Sequence, residues 1–99
     1  MKATKLSGLG GNMFYIVTYD VQQERVNKVC QLLRRYLNWV QNSVFEGELS
    51  EASMLELKSY LNEILDKTKD SIFIYSVRSK EEIKKDILGV EKVDTSRFL

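Results

Sequence analysis

The sequence predicts a small α+β domain: a single sheet with helices packed along one side of it. Three observations carry that expectation. An aromatic and β-branched run opens the patterned part of the chain at Phe14–Tyr19. Apolar residues then recur at helical spacing in two stretches, with a strand-like segment between them. A further alternating apolar run, Ser71–Arg78, follows the second helical stretch.

The elements follow in order. Phe14-Tyr15-Ile16-Val17-Thr18-Tyr19 suits a strand because aromatic and β-branched side chains pack well on a pleated surface. Phe14, Ile16 and Thr18 share one face, and Tyr15, Val17 and Tyr19 the other. Both faces are largely apolar, which points to a central strand covered on each side. From Val21 to about Tyr36 the period changes, and Val26, Val29, Cys30, Leu33 and Leu37 form one helical stripe. Trp39 to Leu49 is strand-like again but too long and polar to run unbroken. A bend or bulge near Asn42-Ser43 is expected to split it into two short strands. Ser50 precedes a second helical stripe of Met54, Leu57, Leu61, Ile64 and Leu65, and Ser53 with Glu56 offers an alternative capping pair.

Lys67 to Asp70 reads as a charged loop. In the strand Ser71–Arg78, Ile72 and Ile74 lie on one face and Phe73, Tyr75 and Val77 on the other. Residues 79–85 suit one or two helical turns, Asp86–Val90 a short last strand, and residues 91–99 a tail that packs on a partner subunit. Residues 1–12 read as an upstream extension without fixed structure. The order strand, helix, strand, strand, helix, strand is that of a ferredoxin-like βαββαβ domain over residues 13–90, with a short extra C-terminal strand.

Composition narrows the chemistry. The chain has 99 residues and no histidine, so it holds no Ser-His-Asp triad, Cys-His dyad or imidazole zinc site of its own. Its single cysteine, Cys30, excludes an internal disulfide and a CxxC metal knuckle and fits a reducing compartment, hence the cytoplasm. No apolar run approaches the roughly 18 residues of a membrane span. A net charge of +1, from 15 basic and 14 acidic residues, means that any nucleic-acid contact must come from local clustering. A domain this small buries only about two-thirds of its unfolded surface. Strand edges as apolar as Ile72–Val77 need covering, and a homodimer would cover them.

Few residues stand out as functional candidates, and each has a plainer account. Asp20 ends the first strand, where open sheets often place ligands. Its carboxylate suits Mg2+ or Mn2+, which keep several waters and need few protein ligands. The commoner alternative is a helix cap, with Gln23 three residues on as its reciprocal partner. One aspartate makes no metal site, but two copies facing each other in a homodimer would. Arg25, Lys28, Arg34 and Arg35 lie off the apolar stripe of the first helix and would contact phosphates, or else form a solvated face. Ser43 follows the expected bend and would orient a scissile group, or simply bond its own turn. Phe45 offers a stacking ring but fits core or interface better.

Three pieces then coincide: Tyr15-Ile16-Val17-Thr18-Tyr19-Asp20-Val21, Val40-Gln41-Asn42-Ser43-Val44-Phe45-Glu46-Gly47-Glu48-Leu49, and the helix start Ser50-Glu51-Ala52. With the intervening Arg25–Leu37 helix, the sequence resembles the small CRISPR-associated adaptation proteins, the second family in the conventional naming, also called CRISPR-associated endoribonucleases. The resemblance runs from Met13 to about Gly89. It implies a homodimer of ferredoxin-like domains whose last strands pair across onto the partner's sheet. It also implies a CRISPR adaptation integrase as partner, bridged while the new spacer DNA is held. Metal-dependent endonuclease activity on single-stranded RNA or double-stranded DNA comes with it. The family's metal-binding, catalytic aspartate maps onto Asp20, its basic first helix onto Arg25 and Lys28, and its second motif onto Ser43 and Phe45. Two positions depart from the family pattern: Trp39 stands where a basic residue is frequent, and Asn42 where tyrosine is common. The rival reading is a ferredoxin-like regulatory or toxin-like RNase dimer outside CRISPR.

Overall fold

The computed structural model of the chain describes residues 11–92. Strand β1 runs Asn12–Asp20, helix α1 Gln23–Arg34, strand β2 Asn38–Gln41, strand β3 Val44–Ser50, helix α2 Glu51–Ile64 and strand β4 Ser71–Val77. A short 3-10 turn over Lys80–Glu82 follows. The strands form one antiparallel sheet in the order β2-β3-β1-β4. Each helix therefore carries the chain over one intervening strand, the arrangement of a ferredoxin-like βαββαβ domain. The expected bend is the two-residue Asn42-Ser43 turn between β2 and β3.

The core fills the space between the sheet and its two helices. Val17 and Phe45 from the sheet, Val29 and Leu33 from α1, and Met54 and Leu57 from α2 are fully buried there. Leu32 joins the α1 stripe read from the sequence. Gly47 lies on this side of β3, where an added Cβ would come within 3.3 Å of Leu37 Cδ2, so glycine lets the loop after α1 pack closely. Tyr36 Oη in that loop donates to Glu56 Oε1 at 2.7 Å and ties it to α2.

No helix among the described residues covers the opposite face of the sheet. Strand pairing places Ile16 beside Tyr75, and Thr18 between Phe73 and Val44. Phe73 and Tyr75 remain 56% and 55% exposed. Only the Phe14 end of this face is buried, beside Lys80 and Glu81 of the 3-10 turn. Within one chain Asp86–Val90 joins no strand of its own sheet, and the short strand expected there is one that pairs onto a partner's sheet. A Lys85–Glu46 ion pair of 3.3 Å ties the start of that segment to β3. Gly89 takes a φ of 96°, which breaks an extended run, and Leu88 and Val90 are 97% and 90% exposed. Strand β1 begins one residue earlier than read, because Asn12 already pairs with Ser50. Residues 1–10 and the end of the tail, including Phe98-Leu99, lie outside the described residues.

The start of α1 corrects a second expectation. Asp20 does not cap the helix, because β1 keeps it as a strand residue paired with Ser71. The N-cap residue is Gln22, and its side chain makes no capping bond. Asp70, from the loop before β4, takes that role instead. Its Oδ1 accepts from the Gln22 amide at 2.9 Å, and its Oδ2 accepts from the Asp66 amide at 2.9 Å. Arg25 completes the arrangement with a forked contact: Nε donates to Oδ2 at 2.6 Å and an η nitrogen to Oδ1 at 3.0 Å. The Asp70 side chain is fully inaccessible. The helix α2 start behaves as read, with Ser50 Oγ accepting from the Ser53 amide at 3.0 Å.

These bonds, the one from Arg25 foremost, hold the Asp70 carboxyl far below its usual value near 3.8. A carboxyl with a depressed folded pKa adds stability above its unfolded pKa and loses it as pH falls through the folded one. Wild type is therefore expected to be more stable than Asp70→Asn at neutral pH, with the gap closing as pH drops below about 4. Thermal melts across that range check it, and a gap that is independent of pH would show that the charge is not what matters.

Candidate functional site

The candidate site is the end of the sheet where β1 stops. Asp20 is exposed there, opposite Ser71 of β4. On the other side of β1 lies the β2–β3 turn, because the Tyr19 amide donates to the Ser43 carbonyl at 3.1 Å. Tyr19 Oη reaches back to α1, 3.0 Å from Cys30 Sγ, and donates to the Asn42 carbonyl at 3.3 Å. Burial and the Cys30 contact raise the Tyr19 phenol well above its usual pKa of 10, so it stays a protonated donor. Trp39 Nε1 donates to the same Asn42 carbonyl at 3.1 Å. The two positions that depart from the family pattern are thus bonded to each other. Beneath the turn, the Arg34 guanidinium stands 5.9 Å from the centre of the Phe45 ring, within cation–π range.

Ser43, Phe45 and Arg34 come together around Tyr19 on the helix side of this end of the sheet, whereas Asp20 lies on the opposite, helix-free face. Phe45 is fully buried, so it supports the site from below rather than offering a face to a base. The remaining cations of α1 go elsewhere. Arg25 is held by Asp70, with only 18% of its side chain exposed, so the structure gives it a scaffold role in place of an open phosphate contact. Lys28 and Arg35, two helical turns apart, line a groove between α1 and α2 together with Gln31, Tyr60 and Glu63. The basic row of the sequence is therefore divided three ways.

Sequence reasoning missed Tyr19, Trp39 and Asp70 at or near the site. Tyr19 was legible as part of the first strand motif and Trp39 as a departure from the family pattern, neither with a hydrogen-bonding role, and Asp70 as one charge in a polar loop. Their roles come from bonds to segments distant in the chain, which no local pattern marks.

Among the described residues, no group of three or more His, Cys, Asp or Glu side chains could hold a metal ion. One chain offers Asp20 alone at this position, an oxygen donor of the kind hard divalent cations take, but half of a site at most. No helix among the described residues is long and apolar enough to cross a membrane.

A split βαβ sheet with both helices on one side, and a lone acid at the end of its first strand, defines a ferredoxin-like domain. The comparisons with known proteins are more specific. Residues 13–85 match the family described as CRISPR associated protein Cas2. A Thermodesulfovibrio yellowstonii protein named CRISPR-associated endoribonuclease Cas2 3 is 46% identical over 86 residues, covering 87% of this chain and 98% of the relative. An Archaeoglobus fulgidus protein, CRISPR-associated endoribonuclease Cas2 2, is 52% identical over 80 residues, covering 81% of this chain and 87% of the relative. Among solved structures, one described as the crystal structure of cas2 superposes with a TM-score of 0.77 at 46% identity, covering 83% of this chain and 92% of the other. Streptococcus pyogenes Cas2 superposes with a TM-score of 0.68 at 34% identity, covering 77% and 99%. The chain belongs to the Cas2 family of CRISPR-associated proteins. That membership does not favour the rival reading of a regulatory or toxin-like dimer outside CRISPR.

The three-way division of the basic row has a direct test. Arg25→Ala strips a buried carboxylate of its partner and is expected to lower the melting temperature clearly. Lys28→Ala and Arg35→Ala, at exposed positions, should stay within about 0.5 kcal/mol of wild type. Urea unfolding of the three variants measures this, and equal effects at all three positions would contradict the division.

Proposed function

We propose that this chain is a homodimeric CRISPR adaptation subunit, bridging the adaptation integrase and the DNA to be inserted, and that its two copies of Asp20 form a metal-dependent endonuclease site. One observation carries the reading. Strand alternation puts Asp20 on the same face as Ile16, Thr18, Phe73 and Tyr75, the face the helices leave open. A second copy that covers this apolar face also meets Asp20. Aromatic side chains of this size add about 1.5–3 kcal/mol each when buried, enough to drive pairing of two such faces.

Two carboxylates brought close repel each other unless a cation lies between them, which suits Mg2+ or Mn2+. When bound, such an ion supplies the charge stabilisation and water activation that a chain without histidine lacks. The chain's own residues orient the nucleic acid. Arg34 adds a positive charge on the helix side of the sheet end, and the Tyr19 phenol, kept protonated, stiffens the turn that carries Ser43. Lys28 and Arg35 lie on the helix side and act as phosphate contacts for a longer duplex. The names of the endoribonuclease relatives support an RNA-cleaving activity, and the phosphate contacts fit single-stranded RNA and double-stranded DNA alike.

Asp20→Asn is expected to lower Mn2+-dependent cleavage of single-stranded RNA and duplex DNA by at least about a hundredfold, the scale of losing one charge-stabilising group. It should leave the dimer intact. Equal cleavage by variant and wild type would point to a contaminating nuclease. In light scattering, the wild type should be a dimer at micromolar concentration, and Phe73→Glu should weaken association by at least about thirtyfold. A wild-type monomer would remove the paired site. For duplex binding, Lys28→Ala or Arg35→Ala should reduce the salt slope by about one each. Pull-down with the integrase of the same locus tests the bridging role, and no complex at low salt would overturn it.

A further inference from the structure

The turn between β2 and β3 is held in a demanding conformation. Gln41 pairs with Val44, which leaves the two-residue loop Asn42-Ser43, and Asn42 takes a φ of 36°. Such tight hairpin loops call for a positive φ. Asparagine bears it better than most residues but less easily than glycine. Asn42 is held there by its own carbonyl, which accepts from Trp39 Nε1 at 3.1 Å and from Tyr19 Oη at 3.3 Å. The following carbonyl, of Ser43, accepts the Tyr19 amide at 3.1 Å. The turn is thereby fixed against β1 one residue short of Asp20. Trp39 packs against the core, so the direction of its indole N–H is set by packing rather than by the turn it holds.

We infer that Trp39 is a positioning residue: its indole N–H, acting through the Asn42 carbonyl, holds the Asn42-Ser43 turn against the strand end that carries Asp20. Tyr19 does not replace it, because its hydroxyl is shared with Cys30 and makes the longer of the two bonds to Asn42. The effect on turnover rests on the nuclease reading proposed above, whereas the effect on the turn does not.

The test uses the full chain with Trp39→Phe, and with Trp39→Phe combined with Asn42→Gly. In Trp39→Phe the Tyr19 amide should exchange with solvent about three- to tenfold faster, the worth of one hydrogen bond, as read by NMR. The amides of Phe14–Ile16 should keep their wild-type rates. Adding Asn42→Gly should restore Tyr19 protection, because glycine takes the positive φ unaided. Cleavage of single-stranded RNA with Mn2+ should show the same order: kcat falls in Trp39→Phe, KM is unchanged, and kcat recovers in the double variant. Unaltered Tyr19 exchange, or a uniform rise along all of β1, would overturn the inference. So would a lost Tyr19 protection that leaves kcat intact. If the wild type cleaves nothing, the nuclease reading fails, and the exchange rates alone decide whether Trp39 holds the turn.

Discussion

The buried carboxylate of Asp70 is the constraint on which the rest of this structure depends. It sits where three segments meet: the start of α1 through Gln22 and Arg25, the end of α2 through Asp66, and the head of β4 through its neighbour Ser71. An ionised carboxylate out of water is costly unless every lone pair finds a donor, and here the donors come from all sides. Its position at the first turn of α1 also suits the positive end of the helix dipole. Such a pair adds little net stability compared with an apolar filling, but removing one partner is expensive. Its consequence is registry. It fixes how far α1 and β4 reach along the sheet, and therefore where Asp20 ends up.

The sheet has two faces with different fates. One is sealed by α1 and α2 around Val17, Phe45 and Leu33. The other carries Ile16, Thr18, Phe73 and Tyr75 with no helix over it. A sheet this apolar on its open side needs a partner, and the acid at the end of β1 shares that side. Fold and proposed chemistry are thus linked by the two-residue repeat of a strand, which places residues 16, 18 and 20 on one face.

The turn at Asn42-Ser43 shows how small bonds shape the site. One backbone carbonyl collects donors from a tyrosine on β1 and a tryptophan on β2. The tyrosine is held in turn by Cys30 on α1. Three elements therefore bear on a two-residue loop, and the loop flanks the one acid of the proposed site.

The sequence by itself determined the elements, because each is set by a local repeat. The alternating run of β1, the stripes of α1 and α2, the break at Asn42-Ser43 and the Ser50 cap are all readable over a few residues. Tertiary structure decided what those elements do to one another. It kept Asp20 as a strand residue and handed its expected capping role to Asp70, 48 residues away from Gln22 in the chain. It also diverted Arg25 from the surface and sent Lys28 and Arg35 to a different groove from Arg34. The physical reason is the same in each case. Periodicity encodes which side of an element is apolar, but the partner of a single charge or hydrogen-bonding group is fixed only when distant segments are packed together.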